Sequence, residues 1–331
     1  MFEWANVSFG KTETWRLAQQ MAKFAGEKGV TNLRLWGKIL GREGDYYVFE
    51  GSGGEGEEEE GEETDPVDLE APGATGVNQL TYWVCPGNDI TTMTQLPKVT
   101  RQHIVSSRLL RKLFTGSLGA EVSGYPPFNG TEAHYLRATI ARITAETLIA
   151  PAGIYKKDED DGMVIMKDDE NEDVPTHEDL IVPDNWVQLQ APINAMGRQS
   201  AAPEVQNDDG DDVAPPGFED IEAAEPLEAI AGEGAWSLRS CPSSKGPGAL
   251  AVLRSMSWPG AVSVGFGRRF CNIYVGNGIP YAATSYTPPE LPEINEEFTP
   301  PEEEMNLVEQ EDVLVDPTPP VEEDAEGEDD E

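Results

Sequence analysis

The uneven distribution of acidic residues along the chain is the feature that most restricts its fold. Four segments, residues 50–70, 156–184, 199–235 and 287–331, hold 53 of the 62 Asp and Glu residues but only three of the 23 Lys and Arg residues. Long runs of like charge with few apolar residues bury too little surface to offset the chain entropy lost on folding. We therefore expect all four segments to be disordered or loosely held.

The remaining 199 residues are basic, because they hold 20 bases and only 9 acids, although the whole chain carries a net charge of −39. Exposed basic surfaces bind polyanions without specificity. Two explanations of the acidic segments are therefore open. They can serve solubility alone, or they can shield the basic part from anionic molecules.

Apolar periodicity and turn residues predict an α+β fold in which an antiparallel sheet dominates, accompanied by a few helices and interrupted by long acidic disordered loops. The predicted elements are, in chain order, a helix over residues 12–25, strands over 33–40, 45–50 and 79–85, a helix over 100–114, and strands over 236–239, 249–254, 261–266 and 269–275.

The charge runs divide the chain into eight predicted parts. These are a helix with a β-hairpin (1–50), an acidic disordered insertion (51–78), a central α+β part (79–155), an acidic loop (156–184), a short ordered segment (185–198), a second acidic loop (199–235), a C-terminal β part (236–286) and an acidic disordered tail (287–331).

The first predicted helix has a clear apolar face. Leu17, Met21 and Phe24 lie at helical spacing, and Trp15 and several alanines widen this face. Gly26 and Gly29 are suitable residues to end the helix. We expect this face to be buried.

Two later stretches are less clear in pattern. Val105, Leu109 and Leu113 share one face of the second predicted helix. Residues 133–149 fit a helix by spacing, yet their threonines and isoleucines suit a buried strand. We favour a strand for residues 133–149.

No catalytic or metal site is recognisable from the sequence. The histidines and cysteines lack metal-ligand spacing, and no Cys-x-x-Cys motif occurs; they are His103, His134, His177, Cys85, Cys241 and Cys271. A nucleophilic pair of Cys85 with His103 is compatible with the spacing, but no family signature accompanies it. Core or surface thiols are the commoner explanation. We expect a protein that is not an enzyme.

No cofactor motif is recognisable either. Gly265-Phe266-Gly267 lacks the third glycine of a dinucleotide fingerprint, so a tight turn or a β-bulge is predicted there. The acidic run over residues 158–162 lacks the spaced ligands of a calcium loop. We expect no cofactor and no metal.

Membrane insertion, secretion and specific nucleic-acid binding are not predicted. No apolar run approaches the roughly 20 residues that span a bilayer, and the first residues lack the basic flank and apolar core of a signal peptide. The basic residues are scattered, with clusters only at Arg108-Arg111-Lys112 and Arg268-Arg269, and no nucleic-acid-reading motif appears. The sequence predicts a soluble intracellular protein.

A series of short motifs, in a fixed order, resembles the radial spoke head protein 4/6 family of cilia and flagella. The motifs are EWANVSFG (3–10), LRLWGKILG (33–41), DYYV (45–48), YWVC (82–85), LPKV (96–99), FTG (114–116), YPPFNG (125–130), YLRATIARI (135–143), VLRS (252–255), WPGA (258–261) and NIYVG (272–276). The resemblance extends over roughly residues 2–286, interrupted by the acidic segments. Members of that family carry a longer part before the first motif, so contacts made by that part are not carried over to this chain.

The resemblance implies a non-catalytic subunit of the radial spoke head, in the axoneme of the cilium or flagellum and so in the cytoplasm and cytoskeleton. It implies a role in passing signals from the central pair to the dynein arms. It implies as partners a paralogous 4/6-type subunit or a second copy, and MORN-repeat head subunits, on a surface that faces the central pair apparatus. Neither a cofactor nor a membrane is implied. The alternative is an acidic-tailed chaperone or binding protein for basic partners.

One segment is a candidate partner contact within this resemblance. Tyr125, Pro126, Pro127 and Phe128 form a stiff stretch that can present aromatic rings to another subunit. A packed turn inside the fold is the alternative explanation of the same residues, and we favour it slightly.

Overall fold

The computed structural model describes residues 1–53, 67–70, 76–86, 90–158, 162–167, 174–207, 211–218, 221, 224–230, 235–242 and 249–281. All of them belong to one compact unit, Met1–Glu290. The acidic tail predicted over 287–331, and most of the insertion predicted over 51–78, lie outside these residues.

Helices and strands alternate irregularly along the described chain. The helices are α1 (Lys11–Lys28), α2 (Arg101–Leu109), α3 (Glu132–Thr147) and α4 (His177–Leu180), with a 3-10 turn at Pro183–Asn185. The strands are β1 (Thr31–Ile39), β2 (Tyr46–Ser52), β3 (Thr81–Pro86), β4 (Thr94–Gln95), β5 (Ile149–Pro151), β6 (Tyr155–Lys157), β7 (Val164–Met166), β8 (Trp186–Gln188), β9 (Val205–Gln206), β10 (Asp212–Val213), β11 (Trp236–Pro242), β12 (Ala249–Ser255), β13 (Ala261–Phe266) and β14 (Arg269–Gly276).

An eight-stranded sheet forms the centre of the fold, in the order β11-β12-β13-β14-β1-β2-β3-β4. Its neighbouring strands are antiparallel except for β1 and β14, which are parallel. The predicted α+β class with a mainly antiparallel sheet is therefore confirmed. The predicted hairpin of β1 and β2, the strand β3 and the four C-terminal strands are confirmed as well.

The parallel pair β1·β14 joins the N-terminal and C-terminal strands into one sheet. Gly37 lies opposite Tyr274 at this seam, next to an irregularity in the pairing of β1 with β2. A Cβ atom on Gly37 would overlap the carbonyl oxygen of Tyr274. The close approach of β1 and β14 therefore requires glycine at this position.

Each face of the sheet is covered by different elements. On one face, α3 and the loop before it cover the large aromatic side chains of β1, β2 and β3, and α2 packs on α3 through Ile104. On the other face, α1 packs on the same strands through Leu17 and Phe24. The N-terminal residues, including Ala5, cover the other face of β12, β13 and β14. Side-chain alternation in the strands thus fills two apolar layers.

The predicted helix over residues 12–25 is confirmed as α1, which ends at Gly29 in the left-handed conformation. Leu17 and Phe24 are buried and Met21 is half-buried, as predicted. Trp15, in contrast, is 64% exposed, so the prediction that it widens the buried face is wrong.

The second predicted helix is shorter than expected. α2 ends at Leu109, because Leu110 adopts an extended conformation. Its buried residues are Ile104 and Ser107, whereas Leu109 and Leu113 are exposed. The helix face predicted for Val105, Leu109 and Leu113 is therefore wrong, since the helix does not continue as far as Leu113.

The strand favoured for residues 133–149 is wrong, because the structure has the helix α3 there. This helix is buried on nearly all sides, so it shows no polar face in the sequence. Thr139, Thr144 and Thr147 each donate a hydrogen bond to the carbonyl four residues earlier, which satisfies their hydroxyls within the helix. Tertiary burial thus overrides the β propensity of its threonines and isoleucines.

The acidic segments predicted to be disordered contain some regular structure. β6, β7 and α4 lie within or at the border of residues 156–184, and β9 and β10 lie within residues 199–235. These short elements are more ordered than the disordered or loosely held chain that the sequence predicts. The division of the chain into eight parts stays a prediction.

Among the described residues, no helix combines the length and apolar character needed to span a membrane.

Candidate interaction surface

The segment Tyr125–Phe128 lies in the loop that joins α2 to α3, and it combines an anchored end with an exposed end. Phe128 is buried, with 7% of its surface exposed, whereas Tyr125 is 49% exposed. Pro126 is half-buried and Pro127 is exposed. The segment is thus a packed turn at Phe128 and a presented aromatic ring at Tyr125.

Phe128 is held by two aromatic neighbours. Its ring stacks on the imidazole of His103 with centroids 5.4 Å apart, and it meets Tyr135 edge-to-face at 5.5 Å. Tyr135 in turn contacts Phe114 at 5.1 Å. Such aromatic contacts add to the apolar burial of each ring. These contacts fix Phe128, and with it the end of the short segment that begins at the exposed Tyr125.

His103 links α2 to this loop as a neutral side chain. Its Nε2 lies 2.9 Å from the carbonyl oxygen of Asn129, which can only accept, so Nε2 carries the proton. Burial lowers the pKa of His103, and the imidazole of His134, 4.9 Å away between ring centroids, lowers it further. His134 Nδ1 accepts a hydrogen bond from the backbone N–H of Thr131 at the start of α3. The pair of histidines therefore serves helix geometry.

Glu132 ties the start of α3 to the sheet. Its buried carboxylate accepts hydrogen bonds from the hydroxyl of Tyr46 (2.7 Å) and from the backbone N–H groups of Thr115 (2.8 Å) and Gly116 (2.9 Å). Burial raises the pKa of Tyr46, and the neighbouring Glu132 raises it further. A buried charge is tolerated when hydrogen bonds satisfy it in this way. The base of the loop is thus rigid.

Exposed apolar side chains lie on the α2 side of the same loop. Leu109 is 61% exposed and Leu113 is 49% exposed. Lys112 Nζ lies 3.1 Å from Ser123 Oγ, which links the residue before Leu113 to the segment that leads to Tyr125. We call Leu109, Lys112, Leu113, Tyr125 and Pro127 the Tyr125 surface. Exposed apolar groups with a charged neighbour on a rigid base are typical of protein–protein contacts.

The structure does not bring Cys85 and His103 together. Cys85 lies under α1 in the apolar cluster with Leu17 and Phe49, whereas His103 belongs to α2 on the opposite face of the sheet. Within the described ranges, no group of three or more His, Cys, Asp and Glu side chains could hold a metal ion. The hypothesis of a Cys85–His103 nucleophilic pair therefore has no geometric support.

The other sequence motifs have structural roles. Gly267 lies in the tight turn between β13 and β14 with φ +57°, which confirms the turn predicted for the glycine motif. His177, within the acidic loop, lies 2.8 Å from the hydroxyl of Ser240 through its Nε2 atom.

Two buried arginines of α3 were missed by sequence reasoning. Arg137 donates to the carbonyl of Val77 and lies 4.3 Å from the ring centroid of Tyr82. Arg142 donates to the carbonyl of Ser107 (2.7 Å), and burial lowers its pKa to about 10. Arginines in a helix ordinarily indicate an exposed face. The sequence did offer one sign that these arginines are buried, because the helix has no other polar stripe that could form an exposed face.

Comparisons with known proteins match the chain over nearly its whole length. The family described as radial spokehead-like protein matches residues 1–71 and 63–323. The human radial spoke head protein 4 homolog A is 32% identical over 90% of this chain and 49% of its own length. The mouse radial spoke head protein 6 homolog A is 31% identical over 92% of this chain and 53% of its own length. The flagellar radial spoke protein 4 of Chlamydomonas reinhardtii is 34% identical over 84% of this chain and 64% of its own length. The chain thus spans about half the length of the mammalian relatives that it matches.

Proposed function

Because the chain belongs to the radial spokehead-like protein family, we propose that it is a structural, non-catalytic subunit of the radial spoke head in the axoneme of cilia or flagella. The resemblance inferred from the sequence motifs is confirmed by this family and by the named relatives. The observation that carries the proposal is the extent of the match. It includes all strands of the eight-stranded sheet and the helices on both of its faces.

The construction of the described part suits a scaffold. Helices on both faces, aromatic anchors such as Phe128 and hydrogen-bonded buried charges such as Glu132 give it a stiff body. A subunit that passes mechanical signals from the central pair to the dynein arms needs such stiffness, because a soft body would absorb the displacement. Signal transmission is accordingly part of the proposed function.

The Tyr125 surface is the proposed contact with other spoke head subunits. Tyr125 presents an amphipathic ring on a rigid base, and Leu109 and Leu113 are exposed at the other end of the same connection between α2 and α3. Aromatic residues of this kind carry much of the binding energy in protein interfaces. The proposed partners are a paralogous 4/6-type subunit or a second copy of this chain, and MORN-repeat head subunits, in a head that faces the central pair apparatus.

The experiment is to express the tagged full chain in a ciliated cell of its source and to extract axonemes with detergent and then with salt. The expected result is retention in the axoneme and co-purification with other radial spoke subunits. Recovery in the soluble fraction would contradict the proposal that the chain is a spoke subunit.

A pair of variants then tests the Tyr125 surface. Tyr125→Ala is expected to reduce retention after salt extraction, whereas Tyr281→Ala, at a tyrosine that is 79% exposed elsewhere on the molecule, is expected to leave it unchanged. Equal retention of the two variants would remove Tyr125 from the interface while leaving the spoke assignment intact.

A further inference from the structure

The eight-stranded sheet has two edges of very different character. At one edge, β4 has only two residues, which leaves little backbone to pair. At the other edge, β11 has seven residues and pairs with β12 along its whole length without an irregularity. A long regular edge strand offers a row of backbone donors and acceptors to another strand. β11 is therefore the edge at which strand addition is possible.

The pairing register shows which backbone groups of β11 point outward. The N–H of Met256 donates to the carbonyl of Ala235 at 2.9 Å, so these two residues form a hydrogen-bonded pair just before β11 begins. Hydrogen-bonded pairs recur at every second residue of an antiparallel ladder. The N–H and C=O groups of Trp236, Leu238 and Ser240 consequently face away from β12. In the part of the chain that the structure describes, these outward groups have no backbone hydrogen bond.

Arg239 lies at the middle of this edge. It is exposed, and its side chain lies on the sheet face opposite to that of Leu238. Towards an added antiparallel strand, Arg239 would occupy a non-hydrogen-bonded position, where opposing side chains approach most closely. No acidic side chain of the described residues forms an ion pair with Arg239. Arg254, opposite Ser237 on the neighbouring strand, adds a second cation to this face.

A second copy of the chain fits this edge poorly. If two β11 strands paired antiparallel with full overlap, Arg239 would lie directly opposite Arg239 of the other copy. Like charges directly opposite each other destabilise a strand pair. In the same register Pro242 would face Trp236, and proline has no N–H to donate. Arg239 and Pro242 thus act against self-association and leave the edge available to a strand of complementary charge.

We propose that the outer edge of β11 binds an extended acidic segment of a partner protein by β-strand addition. Backbone hydrogen bonds to Trp236, Leu238 and Ser240 hold the segment, and an Asp or Glu opposite Arg239 sets its register. This inference does not depend on the spoke-head assignment, because it follows from the geometry and charge of the edge alone.

The test uses the full chain and a fluorescein-labelled peptide of alternating Thr and Val with one central Glu, compared with the same peptide carrying Lys in place of Glu. Binding is measured by fluorescence anisotropy, and amide protection by residue-resolved hydrogen exchange. The Glu peptide is expected to protect the amides of Trp236, Leu238 and Ser240. The amides of Ser237 and Arg239 already face β12 and are expected to change little.

Charge reversal supplies the matched comparison. Arg239→Glu is expected to weaken binding of the Glu peptide by about tenfold and to restore a similar affinity for the Lys peptide. Arg269→Glu, at an exposed arginine on β14 away from this edge, is expected to bind the Glu peptide as the unaltered chain does.

Three results would overturn the proposal. One is no binding of the Glu peptide, or binding without protection of the three outward amides. Another is that the unaltered chain binds the Glu peptide and the Lys peptide with equal affinity, and that the Arg239→Glu variant does so as well. The third is that, without any peptide, the outward amides become more protected as the protein concentration rises. That result would assign the edge to a second copy of the chain.

Discussion

At the scale of single residues, Gly37 is the position at which the fold tolerates least change. A Cβ atom there would overlap the carbonyl of Tyr274, in the parallel pair that joins the two parts of the sheet. We predict that Gly37→Ala lowers the free energy of unfolding by about 2–3 kcal/mol, because the backbone of β1 or β14 must shift. Chemical denaturation followed by circular dichroism measures this change.

Gly26 provides the matched control for this prediction. It lies in α1, an added Cβ atom would meet no residue within 4 Å beyond the helix's own backbone, and its backbone is helical. Gly26→Ala is expected to raise the free energy of unfolding by roughly 0.5–1 kcal/mol, because alanine loses less chain entropy in a helix. If both substitutions had the same effect, close approach at Gly37 would not be the cause.

Burial of single residues could be predicted only where a regular element continues. Leu17 and Phe24 were identified correctly because α1 runs unbroken through both. Leu109 and Leu113 were not, since the chain leaves the helix after Leu109. In the segment Tyr125–Phe128, the sequence could not separate the buried Phe128 from the exposed Tyr125. That separation depends on the position of His103, which is distant in sequence.

At the scale of elements, the strands were easier to predict than α3. The hairpin of β1 and β2 and the C-terminal strands have alternating or aromatic patterns and turn residues between them, so local chemistry suffices. The helix α3 is surrounded by apolar side chains and includes Arg137 and Arg142, whose partners come from other parts of the chain. Local patterns could not indicate these partners.

The contact of α2 with the loop before α3 is predicted to depend on pH. Burial lowers the pKa of His103, and the nearby His134 lowers it further. This imidazole therefore stays neutral in the folded state at pH values at which it binds a proton in the unfolded state. The unfolded state therefore binds more protons below about pH 6.5. It follows that the contribution of neutral His103 to the free energy of unfolding is complete above about pH 6.5 and is lost as the pH falls through that value.

Denaturation at about pH 7.5 and about pH 5.5, on either side of the ordinary histidine pKa, measures the effect. His103→Gln retains an N–H donor for the carbonyl of Asn129 but does not titrate. This variant is expected to lose less stability over the same interval than the unaltered chain loses. An equal loss in both proteins would show that His103 is not the group responsible.

At the scale of the whole molecule, the segregation of charge in the sequence predicts which parts of the chain fold, and that division stays a prediction. It did not indicate that short elements form within the acidic segments, as β6, β7 and α4 do. Nor could it show that the first residues pack on the last strands. Ala5 is buried against Leu250 and Val252, more than 240 positions away in the chain. Contacts of such long range leave no local pattern.

This long-range contact leads to the last prediction, that an altered N-terminal segment destabilises the whole sheet. Ala5→Lys would place an ammonium group among apolar side chains, next to Arg254, whose guanidinium already donates to the carbonyl of Ala5. A loss of about 2–4 kcal/mol in the free energy of unfolding is expected. Because the parallel pair β1·β14 joins all eight strands, tryptophan fluorescence and circular dichroism should report one common transition.

The same substitution at Ala18, exposed on α1, should change stability by no more than about 0.5 kcal/mol. Separate transitions for the two probes, or equal effects at Ala5 and Ala18, would show that the N-terminal residues do not stabilise the C-terminal strands.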